Sequence, residues 1–157
     1  MRVAIVAHPN KPEALVAISR VRQSLVARDI EVVLEFETGE LLGEKGIKKF
    51  WKDADMVISL GGDGTLLQTL HRIGPTAIPI AGVNIGTLGF LTACTDEEID
   101  QLSKVIAVGK QEIVERAMLR VEMTEEGGKS HEFIALNEAV LMRGETGRLV
   151  SLEARVD

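Results

Sequence analysis

Apolar positions along the chain form short runs separated by turn residues, some continuous and others at helical spacing. Arg2 to Ala7 (RVAIVA) is rich in β-branched residues and stops at His8-Pro9-Asn10, which predicts a buried strand ending in a turn. Pro12 then opens a helix. Its apolar positions Leu15, Ile18, Val21, Leu25 and Val26 share a face, with Arg20, Arg22 and Arg28 around the rest. Ile30 to Phe36 predicts a second strand. A polar stretch with Gly39 and Gly43 leads to a short helix from Lys45 to Asp53, packed on the sheet by Trp51, and Met56 to Leu60 predicts a third strand. A helix from Leu66 to Ile73, a fourth strand from Ala77 to Val83 and a helix to about Val108 follow, the last opened by the capping-box sequence Thr95-Asp96-Glu97-Glu98.

Parallel strands need a crossover, usually a helix, so this alternation predicts an α/β fold: a Rossmann-like parallel sheet with helices on both faces. From Gln111 onward the pattern changes. Arg116 to Thr124 alternates like a strand, Glu126-Gly127-Gly128-Lys129 reads as a hairpin turn, and Phe133 to Met142 and Leu149 to Val156 read as further strands. A boundary near residues 112–117 divides 1–114, an α/β domain, from 115–157, the start of an all-β, sandwich-like domain. That segment has too few strands to bury both faces of a sheet, so it is expected to be truncated, with exposed strand edges that favour association.

Composition narrows the function classes. The 157 residues are 45% apolar, enough for a packed core, and carry 24 acidic against 18 basic side chains, a formal charge of −6. No sequence-wide positive field exists to draw in nucleic acid or anionic lipid. Cys94 has no partner for an internal disulfide, and no export signal precedes the first strand, so a cytoplasmic setting is expected. No apolar run approaches the roughly 20 residues that cross a bilayer.

Candidate chemistry gathers at two glycine-rich turns. Gly61-Gly62-Asp63-Gly64-Thr65 ends the third strand. It is neither the G-x-x-x-x-G-K-[ST] loop nor G-x-G-x-x-G, yet it offers backbone amides that can approach a phosphate, a carboxylate among them, and a helix start. A tight turn, or a hairpin at Asp63-Gly64, is the plain alternative. The second turn, Gly86 to Phe90, ends the next strand and falls on the same sheet edge, which makes a cleft. Phe90 can stack on a base or belong to the core. Asn137-Glu138, in an otherwise apolar strand, suits ribose hydroxyls, although strand alternation can point either side chain to solvent. No set of His, Cys, Asp or Glu has zinc-site spacing, and His8 and Cys94 receive no role.

Three segments, Gly61-Gly62-Asp63-Gly64-Thr65-Leu66-Leu67, Gly86-Thr87-Leu88-Gly89-Phe90-Leu91-Thr92 and Leu136-Asn137-Glu138, resemble the NAD kinase family in order and spacing. The resemblance implies phosphorylation of the adenosine ribose 2′-hydroxyl of NAD by ATP or polyphosphate, with a divalent metal such as magnesium. It implies that 1–114 binds nucleotide and that 115–157 begins an NAD-binding domain. Asp63 matches the family's proton acceptor, Gly64 its NAD-contacting neighbour, Phe90 an aromatic near the adenine, Asn137 and Glu138 the pair on the ribose hydroxyls, and Arg148 a basic residue near the dinucleotide. Gly61, Gly62, Gly64 and Thr65 match its phosphate-binding turn. Gln68 stands where many members have arginine. A second aspartate and a threonine-proline-threonine-glycine-serine-threonine-alanine-tyrosine run of the family do not occur before Asp157, so the chain is expected to be inactive alone. Members are commonly dimers or tetramers. Diacylglycerol-type lipid kinases share the first motif, and a non-enzymatic nucleotide-binding module is a further alternative.

Overall fold

The predicted apolar runs become β1 (Arg2–Ala7), β2 (Glu31–Leu34), β3 (Met56–Gly61) and β4 (Ile80–Asn84), and the two residues of β5 (Cys94–Thr95) complete the sheet. Strand order is β2-β1-β3-β4-β5, every pair parallel. The computed structural model describes residues 1–86, 89–142, 153 and 155. Four helices, α1 (Pro12–Val26), α2 (Phe36–Leu42), α3 (Asp63–Ile73) and α4 (Ile99–Ala107), connect or follow the strands.

Side-chain alternation in the strands gives the sheet two apolar faces. Val3, Ile5 and Ala7 of β1 and Met56, Ile58 and Leu60 of β3 join Ile18, Val21 and Leu25 of α1 and Ile99 and Ile106 of α4 in one buried cluster. Ala4, Val6 and Val57 point the other way, against Phe50 and against Ile73 of α3. The sheet is therefore covered on both faces, the α/β architecture that the pattern predicts. Each large aliphatic side chain fully buried here contributes about 1.5–3 kcal/mol relative to an exposed one.

The structure corrects the pattern in several places. The buried face of α1 is Ala14, Ala17, Ile18, Val21 and Leu25, whereas Leu15 and Val26 are exposed. Two small alanines, not the flanking large residues, lie against the sheet. The stretch with Gly39 and Gly43 is α2, and the helix expected over Lys45 to Asp53 is only a 3₁₀ turn, Phe50–Lys52. Glu35 ends β2 early because its carboxylate caps α2, accepting the Thr38 N–H at 3.0 Å. Gly39 fits inside that helix because a Cβ there would come within 2.5 Å of the Gly46 nitrogen, and Gly43 closes it in the left-handed conformation, φ 66°. Pro79 has no N–H for a ladder, so β4 begins at Ile80 rather than Ala77. The helix after β3 starts at Asp63, earlier than Leu66.

Two compact units divide the chain, Met1–Glu115 and Arg116–Asp157. In the second, β6 (Leu119–Thr124) and β7 (Ser130–Ala135) form an antiparallel hairpin, with Leu119 opposite Ala135 and Thr124 opposite Ser130. Glu125 and Lys129 close the turn through a 2.8 Å backbone bond. Leu136–Met142 does not continue β7: residues before Leu119 form no strand to pair with it. The strand expected over Leu149 to Val156 falls outside the described residues. Among the described residues no helix is long and apolar enough to cross a membrane.

Candidate active site

Strand order reverses between β1 and β3, since the chain passes from β1 to β2 on one side and to β3 and β4 on the other. Loops part above such a point, and a crevice opens at the carboxyl ends of the strands. β3 delivers Gly61 to that edge, the extended Gly62 caps α3, and Asp63 is the helix's first residue. The Gly62 carbonyl accepts the N–H groups of Thr65 and Leu66 at 3.0 and 3.2 Å. A Cβ on Gly61 would overlap the Thr65 hydroxyl, so glycine lets strand and helix close at the turn.

The Asp63 carboxylate turns toward the second glycine segment. The Phe90 N–H donates to its Oδ2 and the Leu91 N–H to its Oδ1, each at 2.9 Å. Gly89 makes room for this contact, because any Cβ there would overlap the same carboxylate. The Phe90 amide first, then those of Leu91 and Thr92, outweigh partial burial and hold the Asp63 carboxyl below the usual carboxylate range. Asp63 is thus charged at neutral pH. With about four acceptor positions on a carboxylate, even three amides leave room for one further hydroxyl.

A third segment reaches the same edge. Lys11 follows the β1 turn, and its Nζ donates to the Ile85 carbonyl just beyond β4 at 2.8 Å. The Ile85 N–H in turn donates to the Gly61 carbonyl at 2.8 Å. Because β3 stands between β1 and β4, the lysine side chain spans the end of β3.

Of the residues singled out in the sequence, Asp63, Gly61, Gly62, Gly64, Thr65 and Phe90 all gather here. Gly64 is exposed and Gly62 half-buried, so their backbone is accessible, whereas the Thr65 side chain is buried. Phe90 is 98% exposed, which removes it from the core and leaves its ring open to a ligand. Asn137 and Glu138 are exposed and lie in irregular chain after β7, in the other unit. They are not the buried polar pair of a strand. Arg148, and Thr87 and Leu88 of the second turn, lie outside the described residues, and Gln68 is exposed on α3. Sequence reasoning missed Gly89, the Leu91 amide and Lys11, although the glycine of the second turn was a visible signal for the first.

Among the described residues no three His, Cys, Asp or Glu side chains come together to hold a metal. The divalent ion that the resemblance implies has no all-protein cage in these residues. Cys94 is half-buried, and burial, helped by Glu98, pushes its thiol up to about 11, away from nucleophilic use. An open cavity of about 410 Å³ lined by Glu35, Phe36, Glu37, Lys48, Trp51 and Arg72 shares no residue with the glycine turns.

Comparison with known proteins bears on this arrangement. Residues 3–113 match the ATP-NAD kinase N-terminal domain family. Curated relatives called NAD kinase include one from Methanothermobacter thermautotrophicus, 35% identical over 160 residues, covering 100% of this chain and 55% of the relative. Another, from Symbiobacterium thermophilum, is 34% identical over 160 residues, covering 99% and 56%. A third, from Aromatoleum aromaticum, is 32% identical over 162 residues, covering 99% and 54%. The chain thus spans about half the length of the curated relatives it matches. The crystal structure of yeast NADH kinase complexed with NADH superposes with a TM-score of 0.74 at 20% identity, over 87% of this chain and 47% of that one, a likeness of fold.

Proposed function

The chain belongs to the NAD kinase family, and from that premise we propose that it carries the catalytic carboxylate of an enzyme phosphorylating the adenosine ribose 2′-hydroxyl of NAD to give NADP. One observation carries the reading: the Asp63 carboxylate, at the carboxyl edge of a parallel sheet, is held by the Phe90 and Leu91 amides of a second glycine turn. A ribose hydroxyl is a weak nucleophile, and a positioned carboxylate contributes about 10²–10⁴-fold as its base.

In the proposed step the 2′-oxygen attacks the γ-phosphorus of ATP, or the terminal phosphorus of polyphosphate. The new O–P bond forms as the bridging P–O bond breaks, the hydroxyl proton passes to Asp63, and ADP or the shortened polyphosphate leaves. The Gly61, Gly62, Gly64 and Thr65 turn cradles phosphate through its backbone, chiefly at the accessible Gly62 and Gly64. Gly64 also contacts NAD, and Phe90 stacks near the adenine. Asn137 and Glu138 hold ribose hydroxyls, and Arg148 pairs with the dinucleotide. Magnesium would be held chiefly by the donor's phosphate oxygens. We also propose 1–114 as the nucleotide-binding domain and 115–157 as the start of the NAD-binding domain, a cytoplasmic setting, a homodimer or homotetramer, and little activity from these 157 residues alone.

The test is a radiolabelled phosphoryl-transfer assay on protein extended to the relatives' length, offered NAD and diacylglycerol side by side with ATP. Label in NADP is the expected result. Label in the lipid, with none in NADP, would move the protein to the lipid kinases.

A further inference from the structure

The five arginines of the Met1–Glu115 unit, Arg2, Arg20, Arg22, Arg28 and Arg72, each sit within ion-pair distance of a carboxylate. Lys11 does not. Its half-buried ammonium lies at the carboxyl edge of the sheet, and its bond is to a neutral carbonyl, that of Ile85 at 2.8 Å. Among the described residues no carboxylate reaches it within ion-pair distance. An ammonium has three donors, and the carbonyl takes one. Ile85 is itself tied to the end of β3, its N–H donating to the Gly61 carbonyl at 2.8 Å, and β3 lies between β1 and β4 in the sheet. A Cβ on Gly86 would stand only 3.7 Å from the ammonium, so the second glycine turn also approaches it. A positive charge without a carboxylate is thereby held at the carboxyl edge of the sheet, beside Ile85 and Gly86.

We propose that Lys11 is a phosphate-binding residue of this site, taking the phosphate chain of the phosphoryl donor across the Gly62–Gly64 turn. This rests on the reading of the site as a phosphotransferase. The chemistry recognised is a linear polyphosphate, whether part of a nucleoside triphosphate or inorganic. Lysine acts there as a point charge that offsets phosphate charge, while the strut to Ile85 fixes where the charge sits. Asp63 has a different task, since its carboxylate would repel the donor and is turned to the Phe90 and Leu91 amides.

The experiment titrates the 157-residue chain with inorganic tripolyphosphate and, separately, ATP, reading calorimetric affinity and the ligand-induced rise in melting temperature. Lys11→Gln keeps an N–H for the Ile85 carbonyl and removes the charge; Lys11→Arg keeps the charge. We expect Lys11→Gln to weaken tripolyphosphate and ATP alike by roughly 10- to 100-fold, the effect of losing a charged hydrogen bond, and Lys11→Arg to stay within a few-fold of wild type. The ligand-induced shift is read against each variant's own unliganded melting temperature, so a loss of basal stability does not obscure it. Equal shifts in all three proteins, or no binding to wild type, overturn the proposal. Weakening for ATP alone also overturns it, because the contact would then be to the nucleoside. NADP formation by the extended protein separates the two readings. Lys11→Gln with full phosphate affinity beside normal NADP formation sinks the Lys11 assignment alone, whereas charge-dependent phosphate binding with no NADP sinks the kinase reading alone.

Discussion

At Asp63 the glycines act by what they omit. Gly89 leaves the space that the carboxylate fills, and Gly61 leaves the space for Thr65. Gly89→Ala would push the carboxylate off the Phe90 and Leu91 amides, and a misplacement of this kind is expected to lower turnover by about 10²-fold. Stability should fall by about 1–3 kcal/mol, because the carboxylate loses charge-assisted amide bonds at a half-buried turn. Steady-state rates and a melting curve on the two proteins check both halves. The pH profile follows from the same contacts. Amide bonds to the charged form lower the Asp63 pKa, so the acid limb due to this base lies below the ordinary carboxylate range, near 3.9 for a free aspartate. Removing the clamp with Gly89→Ala moves that limb upward. An acid limb that stays in place would show that the amides do not tune the base. The sequence made Asp63 visible as a carboxylate among glycines at a strand end, a pattern that equally fits a plain tight turn, and the family resemblance singled it out. The clamp was not visible, because it joins turns 27 residues apart and depends on how two loops meet.

Elements were legible where one force dominated. β1 and β3 are continuous apolar runs with both faces buried, and the expected and observed bounds differ at most by the final glycine. α2 was missed because its glycines, which weaken a helix by propensity, are there for close packing and for the cap. β5 has only two residues and no periodicity to read. The cap of α2 also belongs to a buried network. The Glu35 carboxylate accepts from the Thr38 N–H and hydroxyl and pairs with Arg72 of α3 at 2.9 Å, while the Thr38 hydroxyl accepts the Ala7 N–H of β1. Glu35→Ala loses the cap and leaves Arg72 short of a partner, an expected cost of about 2–4 kcal/mol by chemical denaturation. A loss below about 0.5 kcal/mol would mean that the network is incidental. Asp100 of α4 is held down to about 2 by Lys104, and by Ser24 and Arg28, which link it to α1 and the turn after it. A pKa below the unfolded value means stabilisation that is full above about pH 4 and fades as pH falls toward that of the folded state. The gap in melting temperature between wild type and Asp100→Asn should narrow over that interval, and a gap independent of pH would contradict it.

Across the molecule, strand order places the two glycine turns and Lys11 on one edge; alternation of strands and helices was enough to predict that the two turns share it, but not that Lys11 reaches it. The second unit was less legible. Its hairpin followed from Glu126 to Lys129, but the apolar run after Ala135 read as strand although no strand pairs with it among the described residues. Periodicity reports which side chains can be buried, not whether a partner strand exists. A relative of full length is nearly twice as long as this chain; under the proposed function the donor and the base belong to these residues, and the rest of the dinucleotide site needs the longer protein. The most direct test of its central claim is single-turnover NADP formation by the extended protein, wild type against Asp63→Asn, with NAD affinity measured on both. The account predicts a rate lower by at least about 10²-fold with NAD affinity nearly unchanged. A folded Asp63→Asn protein that makes NADP at the wild-type rate would contradict it.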